Sequence, residues 1–418
     1  MSDTADLYSG SLAPDEAVRK LTASVARVTA TETVPVAAAA GRLLAGDMVA
    51  GHDLPASNNA AVDGYALDAD FLARNPDHDF PVIGRAAAGH PHADAVTAGA
   101  AVRIFTGAVM PHGTNAVAMQ EFCVANETAG TVRIGRVVKP GANNRPAGEN
   151  LRRGEMIAAA GCHIGPAEVG IAAAAGNADL EVFRQLRVGL LSMGDEVVPA
   201  GSPTAAGQLH DSNRPMLAAL LESDGHAVHD FGIVPDRAES LTTCYQDALA
   251  ECDAVISSGG ASDGDEDHTQ EAMRRLGISP SFWRLAIKPG RPMAAGVASS
   301  GAPVLCLPGN PVAAYVCYRL VAAPVLSIMA GGAAQSPLRC PMRCGFAHRK
   351  SPGRAEYLRV RLVAGADGET EMVLHGRKGA GVLSSLTGAD GLVEIPVEND
   401  GVAVGDYLAF IPFRESAL

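Results

Sequence analysis

Apolar positions change their spacing several times along the chain, and each change predicts a different kind of element. From Pro14 to Val28 they recur at helical spacing behind an acidic first turn, which predicts a helix. From about residue 50 to residue 139 they form short runs divided by Gly and Pro, which predicts a small β insertion. Helical spacing returns from Pro166 to Gly176. We therefore predict an N-terminal helical module that the β insertion interrupts.

Strands and helices alternate from Arg187 onward, until a linker at residues 331–337 leads to further short β runs. This alternation is typical of a parallel sheet with right-handed helical crossovers. The predicted strands are 188–193, 227–234, 254–258 and 304–307, and the predicted helices are 213–224, 238–251, 269–276 and 311–329.

The predicted fold class is therefore α/β plus β in a multidomain chain. A central, doubly wound and mostly parallel sheet is flanked by the interrupted N-terminal module and by a small C-terminal β domain. With 418 residues the chain is too long for a single core. The predicted domains are residues 1–50 together with 140–184 (N-terminal module), 51–139 (β insertion), 185–331 (α/β domain) and 332–418 (C-terminal β domain).

The composition is that of an ordinary globular protein, with 47% hydrophobic and 19% charged residues and a formal net charge of −13. No block of Lys and Arg interrupts this acidic balance, which argues against a nucleic-acid partner. No run of about 18 apolar residues predicts a membrane span. The eight cysteines are scattered, and the close pair Cys340 and Cys344 lacks the further ligands of a zinc site. Reduced thiols in a cytoplasmic protein are the expectation.

Distinctive polar loops follow all four predicted parallel strands. One of them carries four acidic residues within residues 263–267. Because the carboxyl ends of parallel strands meet at one edge of the sheet, we expect these loops to converge there. The four loop segments are Ser192–Glu196, Val234–Asp236, Ser257–Asp267 and Leu307–Pro311, and a basic segment, Trp283–Pro292, precedes the last strand.

The side chains and backbone of these loops suit a phosphate or pyrophosphate that is bound with Mg²⁺. The pair Gly259 and Gly260 lets successive amides point at an anion, next to the N-terminus of a helix. Carboxylates are the ligands that a hard cation prefers, and cations would neutralise the phosphate. The carboxylates are Glu196, Asp236 and Asp267, and the cations are Arg284, Lys288 and Arg291.

Simpler explanations exist for each feature taken alone. Asp265, Glu266 and Asp267 could only stabilise the N-terminus of the next helix. Two glycines after a strand commonly form a plain turn, and the basic segment could be a solvated loop. His268 fits a capping or surface residue better than a ligand. The presence of special polar residues at all four strand ends favours the functional interpretation.

Several motifs resemble those of the molybdopterin molybdenumtransferases, the molybdenum insertases of molybdenum-cofactor biosynthesis, a family similar to the E domain of gephyrin. Each motif alone is weak evidence for the family. Together, in this order along nearly the whole chain, the motifs are specific for it. The motifs are Ala61-Val-Asp-Gly-Tyr-Ala66, Arg103–Ala108, Gly194-Asp-Glu196, Asp211-Ser-Asn213, Ser257–Asp267, Ile287–Met293, Leu307–Val312 and Gly353-Arg-x-Glu-Tyr-x-Arg359.

The resemblance implies that adenylylated molybdopterin and molybdate are the substrates, that Mg²⁺ is required, and that AMP and molybdenum cofactor are released. It implies that residues 185–331 bind molybdopterin and that the N-terminal module forms a homodimer. The implied catalytic residues are Asp63, Glu196, Asp236, Asp267 and Lys288, with Glu196, Asp236 and Asp267 as metal ligands. The implied substrate-binding residues are Thr106, Ser257, Gly259, Gly260, Ser262, Arg284, Arg291, Pro308, Asn310, Arg359 and Ser384.

Three positions depart from the family pattern. Asn115 stands where relatives usually carry Asp, Ala380 where a serine is common, and His268 where an aromatic residue is usual. None of them replaces a carboxylate of the implied core or Lys288, so we expect the activity to be retained. Asn115 and Ala380 bear on the fine positioning of substrate.

Two other functions fit parts of the sequence. A molybdopterin adenylyltransferase shares the central domain but normally lacks the flanking parts, and AMP formation from ATP and molybdopterin would favour it. A non-catalytic scaffold could bind a protein with the same surface, but all implied core residues are retained. A partner adenylyltransferase and recipient molybdoenzymes are further implied partners.

Overall fold

The N-terminal part of the chain folds back on itself around the β insertion. In this computed structural model, which describes residues 10–260, 268–332 and 336–413, β1 pairs antiparallel with β12 and β2 with β11. The insertion holds a six-stranded mixed sheet in the order β7-β4-β6-β5-β9-β8. The elements are α1 (Pro14–Thr22), β1 (Thr31–Pro35), β2 (Met48–Val49), β3 (Asn59–Ala60), β4 (Gly64–Leu67), α2 (Ala69–Arg74), β5 (Asp79–Ala86), β6 (Ala101–Ile104), β7 (Ala116–Met119), β8 (Cys123–Asn126), β9 (Thr131–Ile134), β10 (Asn144–Arg145), β11 (Met156–Ala158), α3 (Pro166–Ala174) and β12 (Asp179–Phe183).

The central part is a six-stranded sheet in the order β16-β13-β17-β21-β20-β18. The first four strands of that order pair in parallel, whereas β20 pairs antiparallel with β21, and β18 pairs antiparallel with β20. Strands β18 and β20 were not predicted from the sequence. The elements are β13 (Arg187–Met193), β14 (Val197–Val198), β15 (Leu209–His210), α4 (Asn213–Ser223), β16 (Ala227–Val234), α5 (Ala238–Glu251), β17 (Ala254–Ser258), α6 (His268–Arg275), β18 (Pro280–Arg284), β19 (Ile287–Lys288), β20 (Pro292–Val297), β21 (Pro303–Leu307), α7 (Pro311–Cys317) and α8 (Ala323–Met329).

The central sheet has a separate hydrophobic core on each face. Alternate strand residues, such as Leu190 and Leu191, point to opposite faces and join different cores. Residues of α1, α4, α7 and α8 cover one face, and residues of α5 and α6 cover the other. This two-sided burial explains why β17 and β21, in the middle of the sheet, are apolar until their carboxyl ends, whereas β16 at the edge carries the exposed residues His229 and Asp230.

The C-terminal part is a closed, barrel-like sheet. Strand β24 pairs with β25 on one side and with β26 on the other, so that the strands in the order β24-β25-β22-β28-β26 form a closed circle. Strand β19 of the central part joins this sheet by pairing in parallel with β24. The elements are β22 (Cys340–Cys344), β23 (His348–Arg349), β24 (Ala355–Ala364), β25 (Thr370–Leu374), β26 (Gly391–Ile395), β27 (Gly401–Val402) and β28 (Tyr407–Pro412).

Two predicted helices differ from the structure. Helix α1 ends at Thr22 rather than at Val28, because the following backbone bonds elsewhere: the amide of Ala26 donates to Gly301 and that of Val28 to Met329. The predicted helix 311–329 contains a wider π segment at Tyr318–Ala322. Pro324, just after that segment, has no amide proton to donate, which explains the change in the hydrogen-bond pattern.

The stretch Pro311–Met329 is long and apolar enough to cross a membrane by length and composition alone. However, 78% of its most apolar window is buried inside the protein. Its apolar side chains therefore already have partners in the core on one face of the central sheet.

Candidate active site

The four strand-end loops converge at one edge of the central sheet, as expected for parallel strands. They line a cleft of about 760 Å³, which we call the carboxylate cleft. Residues of α4's N-terminus and of the C-terminal part close its sides. The strand-end residues that line it are Ser192, Met193, Gly194, Glu196, Asp236, Ser258, Gly259, Gly260, Pro308, Gly309 and Asn310.

Only glycine fits at residues 259 and 260. Both have positive φ angles, +94° and +74°, which side-chain-bearing residues rarely adopt. A Cβ on Gly259 would lie 2.8 Å from the carbonyl oxygen of Met193, and one on Gly260 would lie 2.4 Å from Thr269 Oγ1. The two glycines thus bring β17's end close to β13's end, and the backbone of this turn is exposed to the cleft.

Glu196 and Asp236, two of the three predicted metal ligands, line the same cleft from neighbouring strand ends. Asp195 holds the loop that follows β16 in place, because its carboxylate accepts a hydrogen bond from the Asp236 amide at 3.3 Å. The third predicted ligand, Asp267, and the predicted substrate contact Ser262 lie outside the described residues. Within the described part of the chain no group of three or more His, Cys, Asp or Glu residues could hold a metal ion. Two carboxylates at one cleft nevertheless have the chemistry that a hard cation requires.

The polar floor of the cleft includes residues of the family motifs that were not predicted to be site residues. Ser258 lines the cleft and accepts a hydrogen bond from Asn213 Nδ2 at 2.7 Å. The predicted contact Ser257 does not line it, because it accepts from Tyr245 in the core on the other face of the sheet. The alternation of side chains along β17 separates the two serines. The motif Asp211-Ser-Asn213 was the sequence signal for Asn213.

A second cavity, of about 280 Å³, adjoins the cleft. Pro292, Pro308 and Asn310 line both of them, so the two share a wall. We call it the cationic cavity, because most of its charged lining residues are basic. Those basic residues and the histidine are Lys288, Arg291, His348, Arg354, Arg359 and Lys378. Of the predicted substrate contacts, Arg291, Pro308, Asn310 and Arg359 are at this wall or cavity.

A buried carboxylate joins two basic groups of the cationic cavity. Glu356 on β24 contacts Lys288 Nζ at 3.0 Å through one oxygen and His348 Nε2 at 3.1 Å through the other. Nδ1 of the same histidine lies 2.9 Å from Lys378 Nζ. Burial opposes ionisation of Glu356, but hydrogen bonds from His348 and Lys288 outweigh it and hold the pKa of the carboxyl below its ordinary value.

Arg359 is buried at the wall of the cationic cavity and is fixed by two hydrogen bonds. Its Nε donates to Ser385 Oγ at 2.9 Å, and its Nη2 donates to the carbonyl oxygen of Arg377 at 3.0 Å. Burial lowers the pKa of its guanidinium from the ordinary value, and Glu356 opposes that change. The predicted contact Ser384 is exposed and lines neither cavity, whereas its neighbour Ser385 makes the bond to Arg359.

Asp63 and Thr106 form a separate pair on the β insertion. The Asp63 carboxylate accepts from both the amide and the hydroxyl of Thr106, each at 2.8 Å. These two bonds hold the pKa of the Asp63 carboxyl below its ordinary value, and Arg103 adds to the effect. Neither residue of the pair lines the carboxylate cleft or the cationic cavity, and neither does Arg284.

Two of the family departures have a clear structural setting. The Asn115 side chain accepts from the amide of Ala69 at the start of α2 and donates to Asp70 at 3.1 Å. An aspartate could not make that donation, because its carboxylate is an acceptor only. Ala380 lines the cationic cavity, and its carbonyl accepts from the Val312 amide at the start of α7. His268 is the first residue of α6.

Three family models match the chain in succession. They describe the MoeA N-terminal region (domain I and II) at residues 12–176, a probable molybdopterin binding domain at residues 189–327, and the MoeA C-terminal region (domain IV) at residues 341–413. A molybdopterin molybdenumtransferase of Haemophilus influenzae is 32% identical over 402 residues, which cover 96% of this chain and 98% of that protein. The chain belongs to the molybdopterin molybdenumtransferase family.

Further similarities agree with this membership. A molybdopterin molybdenumtransferase of Synechococcus elongatus is 33% identical over 397 residues, which cover 93% of this chain and 96% of that protein. The solved structure of the molybdopterin biosynthesis MoeA protein from Pyrococcus horikoshii is 26% identical, with a TM-score of 0.81 over 96% of this chain and 100% of that one. The predicted resemblance and the prediction of an enzyme are confirmed, and the chain has the multidomain MoeA-like fold.

Proposed function

We propose that this member of the molybdenum-cofactor transferases inserts molybdenum from molybdate into adenylylated molybdopterin, with hydrolysis of the phosphoanhydride and release of AMP. The observation that carries the proposal is the shared wall between the carboxylate cleft and the cationic cavity. The cleft suits a pyrophosphate and the cavity suits a compact oxyanion, and Pro308 and Asn310 belong to both. Two anionic reactants could therefore be held next to each other.

The carboxylate cleft would hold the phosphoanhydride. The turn at Gly259 and Gly260 presents backbone to the anion, and Ser258 offers a hydroxyl. Glu196 and Asp236, with Asp267, would hold Mg²⁺, which neutralises phosphate charge when bound. Asp195 keeps the Asp236 loop in place through its backbone amide.

The cationic cavity would hold molybdate. Lys288, Arg291 and Arg359 supply positive charge there, and the bonds from Arg359 to Ser385 and Arg377 fix the direction of its guanidinium. Such fixed donors stabilise an oxyanion without reorganisation when it binds. Molybdenum would then enter the dithiolene across the shared wall: Mo–S bonds would replace Mo–O bonds of molybdate, and the displaced oxygen would leave as water with the thiol protons. A second water would hydrolyse the phosphoanhydride and supply the oxygen that completes AMP.

We further propose a homodimer. Gly170, Ala173 and Ala174 are small, exposed residues on α3 that permit close approach of a second copy. Asp63 and Thr106 line neither cavity of their own chain, and a second copy could bring its pair to the site. Light scattering at micromolar concentration should give the mass of a dimer, and a fully active monomer would contradict this proposal. A cytoplasmic location, a partner adenylyltransferase and recipient molybdoenzymes complete the proposed setting.

The direct test of the proposed function is incubation of the protein with adenylylated molybdopterin, molybdate and Mg²⁺. We expect AMP release and activation of an apo-molybdoenzyme, both dependent on molybdate. If the protein instead converts ATP and molybdopterin into adenylylated molybdopterin and pyrophosphate, it is an adenylyltransferase and the proposal is wrong. If neither AMP nor active molybdoenzyme forms, a non-catalytic scaffold is the better description.

A further inference from the structure

We propose that Lys378 is a further oxyanion-binding residue of the cationic cavity, and that His348 and Glu356 are positioning residues for Lys378 and Lys288. The inference rests on the proposed function, because the oxyanion is the molybdate that we assign to this cavity. It starts from a continuous row of contacts, Lys288 to Glu356 to His348 to Lys378, with successive distances of 3.0, 3.1 and 2.9 Å.

The direction of each hydrogen bond in the row follows from elementary chemistry. A lysine ammonium can only donate, so Nδ1 of His348 must accept from Lys378. The ring proton is then on Nε2, from which it is donated to Glu356. Both ring nitrogens of His348 are therefore occupied, and the orientation of the ring is fixed from both sides.

Burial divides the row into a fixed middle and two accessible ends. The side chains of His348 and Glu356 are 7% and 6% exposed, whereas that of Lys288 is 57% exposed and Lys378 is also exposed. Both lysines line the cationic cavity. The buried pair His348 and Glu356 thus restrains two flexible lysine side chains at their charged ends. Without these contacts, each lysine would lose rotamer entropy when it binds an anion.

The two lysines differ in how much of their charge is offset. Lys288 is in contact with the Glu356 carboxylate, which neutralises part of its charge. Lys378 contacts a ring nitrogen of His348, and within the described part of the chain it forms no ion pair with a carboxylate. Its full positive charge is therefore presented at the cavity. The affinity of the cavity for a dianion should therefore be higher with Lys378 than with Lys288 alone. A purely structural contact would not require this exposed charge at the cavity.

The first test is calorimetric titration of the full-length protein with molybdate alone. We expect Lys378→Met to weaken molybdate binding by about 10-fold or more, and Lys288→Met to do the same, because each removes a charge-assisted contact. Lys139→Met, which removes an exposed lysine of the β insertion, should bind like the wild type.

The outcomes separate this inference from the proposed function. If Lys288→Met weakens binding and Lys378→Met does not, the inference is wrong and the assignment of molybdate to the cavity stands. If the wild-type protein does not bind molybdate, or if both lysine variants bind like it, the assignment of molybdate to the cavity is wrong and the inference fails with it.

The second test addresses the positioning role of His348. In His348→Gln, the amide can still donate to Glu356 and accept from Lys378, whereas in His348→Leu neither bond is possible. We expect His348→Gln to bind molybdate nearly as the wild type does and His348→Leu to lose about as much affinity as Lys378→Met. The double variant His348→Leu/Lys378→Met should show no further loss, because both changes remove the same contact. Equal losses in the Gln and Leu variants, or additive losses in the double variant, would overturn the positioning role.

Discussion

The carboxylate cleft and the cationic cavity share a wall, but they are built in opposite ways. The strand-end side of the cleft comes from four loops at the ends of parallel strands within the central part of the chain. The cavity is assembled from the β19–β20 segment, the start of α7 and three segments of the C-terminal part, with Lys288 and Lys378 90 positions apart. The two regions also differ in charge. Carboxylates line the carboxylate cleft, whereas cations surround one buried carboxylate in the cationic cavity.

The comparison indicates that one chain can bind two neighbouring anions through two different kinds of contact. The cleft would bind its anion through backbone amides and a cation held by carboxylates. The cavity would bind its anion through side chains that are fixed by second partners, such as Ser385 for Arg359 and Glu356 for Lys288. Changes in the two regions should therefore have distinguishable effects, which the following predictions use.

The largest effect is expected for Asp267→Asn, which keeps the size of the side chain and removes a charge that a hard cation requires. AMP release and molybdenum insertion should be abolished, while the melting of the protein without ligands stays unchanged or rises slightly. Asp263→Asn, in the same acidic loop, is the matched control and should be nearly silent. Wild-type turnover of Asp267→Asn at sub-saturating Mg²⁺ would mean that the acidic loop only caps the next helix.

Lys288→Ala should affect the cavity and spare the cleft. We expect molybdate to bind roughly 10- to 150-fold more weakly, whereas AMP binding changes little, because one charge-assisted contact is worth about 1.5–3 kcal/mol. The change also leaves the buried Glu356 with one partner fewer, which should lower the free energy of unfolding. The double variant Lys288→Ala/Glu356→Gln should recover stability but not affinity. Calorimetry that finds equal losses for molybdate and AMP would remove the distinction between the two regions.

Gly260→Ala should affect the cleft and spare the cavity. The backbone there has a φ of +74°, which costs a side-chain-bearing residue about 1–2 kcal/mol, and the new Cβ would also meet Thr269 Oγ1 at 2.4 Å. Gly277→Ala is the matched control, since its φ is +69° and its Cβ would meet nothing within 4 Å. In urea denaturation Gly260→Ala should be the less stable of the two, and it alone should weaken AMP binding. Equal stability would show that the close approach of β13 and β17 is not required.

The smallest effect concerns the pH dependence of the cavity's buried carboxylate. The pKa of Glu356 is lowered from 4.5 in the folded protein, so its contribution to stability is fully present above pH 4.5 and is lost as the pH falls through the folded value. The difference in unfolding free energy between the wild type and Glu356→Gln should therefore be constant near neutral pH and shrink below pH 4.5. A difference that grows on acidification would contradict the assigned contacts to Lys288 and His348.

The sequence predicted the cleft better than the cavity for a physical reason. Strand ends, paired glycines and carboxylates are local features, and the geometry of parallel sheets brings them together. Glu196, Asp236 and Gly260 could therefore be located from the sequence, whereas Ser258 was missed in favour of Ser257, because the choice depends on the orientation of one strand.

The cavity depends on pairing between distant segments. Strand β19 joins the C-terminal sheet through Ile287 opposite Ala355 and Lys288 opposite Glu356, and no local pattern indicates such a pairing. The motif ending in Arg359 pointed to the region, but His348, Lys378 and Ser385 became visible only in the fold. The early end of α1 was missed for the same reason, since backbone bonds to segments outside the helix decide it. The π segment, by contrast, adjoins Pro324, a residue of the predicted helix itself.

The most direct test of the central claim is the rate of AMP release at increasing molybdate concentration in Lys288→Ala and Glu196→Gln. If the two cavities hold different reactants, saturating molybdate should restore much of the rate in Lys288→Ala, because only molybdate binding is weakened. It should not restore Glu196→Gln, whose defect lies in the cleft that would hold Mg²⁺ and the phosphoanhydride. Equal rescue of both variants, or rescue of Glu196→Gln alone, would contradict the division of the site into a pyrophosphate cleft and an oxyanion cavity.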